Sequence, residues 1–289
     1  MTRPARRADP GHPYTGRIAG LATRHDKLPL VGPAMESVVG LTVVAVEVDT
    51  DAFGTFAGEV PRLGTPFETA VAKARAGMHE AGLLLGLASE GSVAPLDGLP
   101  YVLADTELVV LVDDDLGIVV AEREVALAPP AIGTDVAPGR LDPAALVRAG
   151  FPEHGLIVRP SDGWDIVVKG IHDRAELEAA IARCAAESPL ATARVESDLR
   201  AHHHPFRRTV IARAAERLAL RLATRCPGCA APGWGIDHLE PGAPCANCGT
   251  PTRRPRLEHW SCAACDYVDA RPAPGGGAAD PSVCPICNP

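Results

Sequence analysis

Aromatic residues are scarce in this chain: five Phe, three Trp and three Tyr make up 4% of 289 residues. With only three Met besides, a core here must be built mainly from Ala, Leu and Val, which dominate a hydrophobic content of 46%. That content fills a sizeable core, and the length suggests about two domains at roughly 150 residues each. Long apolar runs are missing too. No stretch approaches the roughly 20 residues of a membrane span, so no membrane partner is expected. Positive charge is in deficit, with 28 Lys and Arg against 36 Asp and Glu and a net charge of −8. This argues against general attraction to nucleic acid or to an anionic membrane. The basic start, Met1-Thr2-Arg3-Pro4-Ala5-Arg6-Arg7, is followed by no apolar segment and does not read as a secretory signal. A cytoplasmic location is the expectation, and in a reducing compartment paired cysteines read as metal ligands rather than disulfides.

Cysteine is what the sequence has in pattern. Eight of its nine cysteines form four Cys-x-x-Cys pairs: Cys226/Cys229, Cys245/Cys248, Cys262/Cys265 and Cys284/Cys287. Two intervening residues let one tight turn present both thiolates to one ion, and two such turns complete a tetrahedral shell. Gaps of 15 residues between the first and second pairs and 18 between the third and fourth suit zinc ribbons. The expectation is two structural zinc ions, with a single zinc or an iron–sulfur centre as alternatives. Spacing leaves sequential pairing and an interleaved pattern, first with third and second with fourth, both open. The ninth, Cys184, lies alone in a helical segment and reads as a buried structural thiol.

Residues 1–15 read as a disordered leader, 16–204 as an α/β domain, 205–224 as a connecting helix and 225–289 as the metal-binding module. Strands are expected over 17–23, 41–48, 83–88, 107–113, 117–123, 154–159, 166–169 and 192–196. The second, nearly all apolar, looks covered on both faces, and the third runs into a turn at Ser89-Glu90-Gly91-Ser92. Helices are expected near 33–39, from Pro66 to about Glu80, from Pro143, over 175–186 and from Pro205. Thr65, Pro66 and Glu68 form a helix-start signature with a capping box, and Gly82 stops that helix. The fold class is α/β, a mixed, largely parallel sheet with flanking helices plus a C-terminal double zinc-ribbon-like module. On the helix from Pro205, Ile211, Ala214, Ala215, Leu218 and Leu222 form an apolar stripe, and Arg213, Arg217 and Arg221 line another face. That Arg face reads as solvated. Residues 224–289 carry five Arg and six acids, so no basic footprint for nucleic acid exists there.

Polar residues of the first hundred positions gather where strands end: Thr23-x-His25-x-Lys27, Asp49 and Asp51, Glu59, Glu68 and Lys73 on one helix, and Glu90. Ligands of open α/β sheets bind at the carboxyl ends of strands. A polar turn between strand and helix can offer amides and a lysine to phosphate, and neighbouring carboxylates can hold Mg²⁺ over it. Glu68 can equally be no more than the capping residue of its helix. The run His202-His203-His204 reads first as a polar lead-in to the following helix and second as a metal cluster.

The tracts Ala22-Thr23-Arg24-His25-Asp26-Lys27, Asp49-Thr50-Asp51-Ala52-Phe53-Gly54-Thr55-Phe56, Ala88-Ser89-Glu90-Gly91-Ser92, Phe151-Pro152-Glu153-His154-Gly155 and Asp198-Leu199-Arg200-Ala201-His202, with the cysteine tail, form a recognisable set. Together they resemble a bacterial family designated domain of unknown function 6671. The likeness runs from Gly16 onward and implies no activity, though it marks His154, Arg200 and His202 as pocket candidates beside Asp49, Asp51 and Glu59. The N-terminal half is also similar in layout to the inosine triphosphate pyrophosphatase superfamily. Thr23-Arg24-His25-Asp26-Lys27 stands at its phosphate turn, Glu68-Thr69-Ala70-Val71-Ala72-Lys73-Ala74 at its Glu-Asn-Ala-x-x-Lys-Ala helix, and Ala88-Ser89-Glu90-Gly91-Ser92 at its Ala-Asp-Asp-Ser-Gly strand end. That resemblance implies that Thr23, His25, Lys27 and Lys73 bind phosphate, Glu68 ligates Mg²⁺, and Glu90 ligates metal or acts as general base toward water. The first turn is one residue short, and Ser89-Glu90 replaces the paired Asp.

Two functions follow as expectations. One is a nucleotide pyrophosphatase-like hydrolase acting on a phosphorylated small molecule with Mg²⁺. The other is a non-catalytic binding or regulatory protein whose metal module and Arg stripe contact nucleic acid or a protein partner.

Overall fold

The computed structural model describes residues 11–23, 26–54, 64–96, 99–164 and 166–289. Its first sheet has the order β2-β1-β3-β4-β5, formed by β1 (Ile18–Ala22), β2 (Thr42–Val46), β3 (Leu85–Leu96), β4 (Leu99–Asp113) and β5 (Ile118–Leu127). The sheet is mixed, as expected. β1 pairs in parallel with β2 and β3, while β3–β4 and β4–β5 are antiparallel. Helices α1 (Leu28–Val39) and α2 (Pro66–Ala81) carry the chain out of β1 and back into β3.

The pleat sorts side chains to two faces. Leu85 and Leu87 of β3, with Val109 and Leu111 of β4, join Val31, Met35 and Val39 of α1 in one core. Ala88, Val110 and Val112 turn the other way, onto Ala70, Ala74 and Met78 of α2. Helix α5 (Pro205–Leu222) packs beside α1, with Ile211, Ala214, Ala215, Leu218 and Leu222 fully buried. It forms a wall of the first core. Of the expected leader, residues 1–10 lie outside the described residues, while Tyr14 is fully buried and His12 Nε2 lies 3.0 Å from the Leu222 carbonyl.

Four further differences from the sequence reading have local causes. α1 begins at Leu28, because Pro29 suits its first turn, and Pro33 is accommodated inside the helix. β2 is an edge strand with Thr42, Val44 and Ala45 exposed, so its apolar run is not covered on both faces. β3 does not turn at Ser89 but continues to Leu96, because β4 pairs with it residue for residue from Leu85 to Pro95. Residues 16–204 hold a second sheet, all antiparallel, with order β6-β9-β7-β8. It comprises β6 (Gly133–Val136), β7 (Leu156–Pro160), β8 (Val168–Ile171) and β9 (Ala193–Ser197), and its separate core includes α3 (Pro143–Ala149) and α4 (Arg174–Ala186). Cys184 is fully buried there, as expected of a structural thiol.

The helix termini follow their sequence signals. Thr65 Oγ1 accepts the Glu68 amide and Glu68 returns a carboxylate oxygen to the Thr65 amide at 2.8 Å, a complete capping box, while Gly82 adopts φ 63° at the other end. The C-terminal module is a three-stranded antiparallel sheet of β10 (Gly235–Pro241), β11 (Pro255–Ser261) and β12 (Val268–Pro272). No helix among the described residues is long and apolar enough to cross a membrane.

Candidate metal centres and a buried charge cluster

The four cysteine turns share one geometry. The amides of Gly228, Asn247, Ala264 and Ile286 each donate to the sulfur two residues earlier, at 3.3–3.4 Å. Such donors favour the thiolate form that metals require. Cys226, Cys229, Cys262 and Cys265 form one set and Cys245, Cys248, Cys284 and Cys287 the other, so the pairing is interleaved. Sulfur–sulfur distances across the paired turns are 3.6 and 3.9 Å in both sets. Four thiolates at about 2.3 Å from one ion in a tetrahedron stand about 3.8 Å apart, so each set fits one four-coordinate ion with no open position. The first set is anchored to the α/β body: Cys226 follows α5 by four residues, and Arg221 donates to the carbonyls of Gly233, Ala121 and Ile236, tying α5, β5 and β10 together.

At the far end of α5 lies a cluster of charges. Lys27, at the start of α1, donates to Ser89 Oγ at 2.8 Å. Lys73 of α2 donates to Glu90 Oε2 at 2.6 Å, with both side chains about nine-tenths buried. Successive residues of β3 thus meet lysines from opposite faces of the sheet, just past the carboxyl end of β1. On the α5 face, Arg207 grips Glu107 and the Leu199 carbonyl and lies 3.6 Å from Asp105. Asp105 and Glu107 have no exposed surface. Burial pushes the Glu107 carboxyl up to about 7 despite Arg207, and raises Asp105 in the same way. Burial also brings the Lys27 ammonium down to about 8, against the pull of Glu107. A Cβ at Gly91 would run into Glu107 Oε2 and stand 2.5 Å from Arg207 Nη2, so a side chain there would force the Glu107–Arg207 pair to shift.

This chain is a member of the family described as Domain of unknown function (DUF6671). The match spans residues 73–289, which takes in Lys73, Glu90, Glu107, Arg207 and all eight paired cysteines. No curated protein and no solved structure matches the chain.

The residues expected to form a site are only partly gathered. Lys27, Lys73 and Glu90 meet as described, and Thr23 follows the last residue of β1, its amide bonded to the Val46 carbonyl. Glu68 is exposed, and its capping contacts with the Thr65 amide and hydroxyl hold its carboxyl below the usual range. Asp49 is exposed beside the short 3-10 turn Thr50–Phe53, whose backbone includes Asp51. His25 and Glu59 lie outside the described residues. His154, Arg200 and His202 belong to a second locus. There Arg200 clasps the fully buried Asp198 through two nitrogens, His154 stacks on His204 at 4.2 Å, and His202 lies against His203. Burial opposes ionisation of Asp198, but Arg200 more than offsets it and holds the carboxyl below its usual range. Burial, reinforced by His154, lowers His204 to about 4.

The sequence reading does not anticipate Asp105 and Glu107 as site residues or the burial of Arg207, although a signal exists. Asp105 and Glu107 continue the parity of the core residues Val109 and Leu111 on β4, and Arg207 stands four residues before Ile211 on the apolar stripe. A charge at a core position is costly unless paired, and three at once mark a buried network. The stripe of Arg213, Arg217 and Arg221 is not simply solvated either. It faces Glu122 and Glu124 of β5 at 3.1–3.9 Å.

Proposed function

We propose that the α/β body binds a phosphorylated, nucleotide-like ligand at the carboxyl end of β1 and hydrolyses a phosphoanhydride bond in it. The two cysteine sets hold structural zinc in this reading. The observation that carries it is the convergence of Lys27 and Lys73 on Ser89 and Glu90. Sheet order β2-β1-β3 makes this the point where the chain reverses direction across the sheet, the usual place for a ligand in an open α/β fold. Two lysines there can neutralise phosphate oxygens. When Lys73 turns to phosphate it releases Glu90, whose carboxylate can then take a proton from an attacking water. Among the described residues only cysteines bring three or more ligand atoms together, so no acidic cage for Mg²⁺ is formed. Mg²⁺ in this reading arrives on the phosphates of the ligand, with Glu90 as a protein contact.

The test is to incubate the purified protein with Mg²⁺ and a panel of standard and damaged nucleoside triphosphates, reading pyrophosphate and phosphate release separately. Pyrophosphate release that drops at least about 100-fold in Glu90→Gln is the expected result, the usual scale for loss of a general base. Full turnover by Glu90→Gln, or no release from any nucleotide by protein carrying two zinc ions, would overturn the proposal. The alternative of a nucleic-acid-binding module is weakened because the Arg stripe on which it relied is engaged by Glu122 and Glu124.

A further inference from the structure

Five of the ten histidines, His154, His172, His202, His203 and His204, gather where the end of β8 meets the turn before α5. Within this group His172 Nε2 and His203 Nδ1 stand 2.9 Å apart. The other nitrogen of His172, Nδ1, is 2.7 Å from the Pro152 carbonyl. A carbonyl can only accept, so Nδ1 carries the proton and the lone pair of Nε2 points at His203. Two glycines keep the space around the pair clear. At Gly170, with φ 72°, a Cβ would come within 2.6 Å of His203 Nε2. At Gly155 it would stand 3.0 Å from both His172 Nε2 and His203 Cβ. His172 is exposed and His203 partly so, which leaves the pair open to solvent.

We infer that His172 and His203 form a third metal site, separate from the cysteine sets, for a divalent ion with affinity for imidazole such as nickel, copper or zinc. Two nitrogens bound in adjacent positions at about 2.1 Å from one ion are about 3.0 Å apart, so the two rings, which now face each other across 2.9 Å, need only turn toward a common point to chelate an ion. The Pro152 carbonyl is the outer partner that fixes the tautomer of a ligating histidine. Without an ion, His203 Nδ1 donates its proton to His172. An ion takes the place of that proton, which moves to His203 Nε2 or to solvent. Among the described residues no third His, Cys, Asp or Glu completes a ligand group with these two. Water therefore fills the other positions, and the ion is exchangeable where the cysteine-bound ions are enclosed. The site is distinct from the proposed hydrolase chemistry: His172 and His203 bond to the Pro152 carbonyl and to each other, whereas Lys27 and Lys73 bond to Ser89 and Glu90.

The test uses untagged full-length protein with both cysteine sets loaded with zinc. Ni²⁺ is titrated in by calorimetry, the retention of two zinc ions is checked by elemental analysis, and paramagnetic broadening of histidine ring resonances locates the nickel. The expected result is one Ni²⁺ per chain, broadening His172 and His203 first. Affinity should fall at least tenfold in His172→Ala and in His203→Ala but not in His79→Ala, on α2. His172 is exposed, so its variant should fold even if that of His203 does not. Absence of Ni²⁺ binding at pH 8, or binding undiminished in His172→Ala, would overturn the inference.

Discussion

Glu107 shows how one residue can set a pH response. Burial raises its carboxyl to about 7 from an unfolded value near 4.5, so the folded chain holds that proton more tightly than the unfolded one. A raised acid contributes stability that is fully present below the unfolded value and is lost as pH rises through the folded value. Stability of the native protein relative to Glu107→Gln should therefore fall between pH 4.5 and 7. Urea denaturation of both proteins at steps across this window checks the slope, and equal slopes would mean that Arg207 cancels the burial effect. Single residues were unevenly legible in the sequence. Thr65, Pro66, Glu68 and Gly82 announced their helix termini, because capping is a contact between near neighbours. The same contact engages Glu68, the residue expected to hold Mg²⁺. Glu107 escaped notice because its burial depends on α5, a hundred residues away.

Helix α5 is legible in the sequence only in part. Its apolar stripe was readable from spacing alone, and its arginines were visible as a row. Their partners were not, since Glu122 and Glu124 face the helix only because β5 pairs with β4 in the observed register. The five arginines of α5 are far from equivalent. Arg207 is 3% exposed between two carboxylates that have no exposure, whereas Arg213 is half exposed at 3.9 Å from Glu124. Replacing Arg207 by Met strands buried negative charge and should cost about 3–5 kcal/mol. Replacing Arg213 by Ala should cost less than about 1 kcal/mol. Denaturant midpoints of the two variants should separate accordingly, and similar midpoints would deny the buried cluster a structural role. The length of β3 is hidden from the sequence for a related reason. Glycine and serine signal a turn locally, and only the pairing partner β4 overrides them.

For the whole molecule, the α/β core with a cysteine module behind it was legible, but the number of sheets and the attachment of the module were not. The first cysteine set stands at the end of α5, where Arg221 links helix, sheet and module, while the second set is tied within the module, where Cys245 bridges Ala279. Cys262→Ser and Cys284→Ser should each reduce bound metal from two ions to one. Only Cys262→Ser should also lower the melting temperature of the α/β body and speed amide exchange along α5. Equal effects of the two substitutions would show that the sets act as one unit.

The interleaved order of the cysteine turns has a consequence for assembly. Correct closure of the first set spans the 32 residues between Cys229 and Cys262, whereas the incorrect neighbour at Cys245 is 15 residues away. Loop entropy favours the incorrect partner by roughly 0.7 kcal/mol. An unfolded chain that meets metal early will therefore capture it in adjacent turns and must surrender it before the native arrangement can form. Refolding with zinc present from the start should be slower than refolding followed by zinc, and a weak chelator should act as a catalyst by reopening the premature knots.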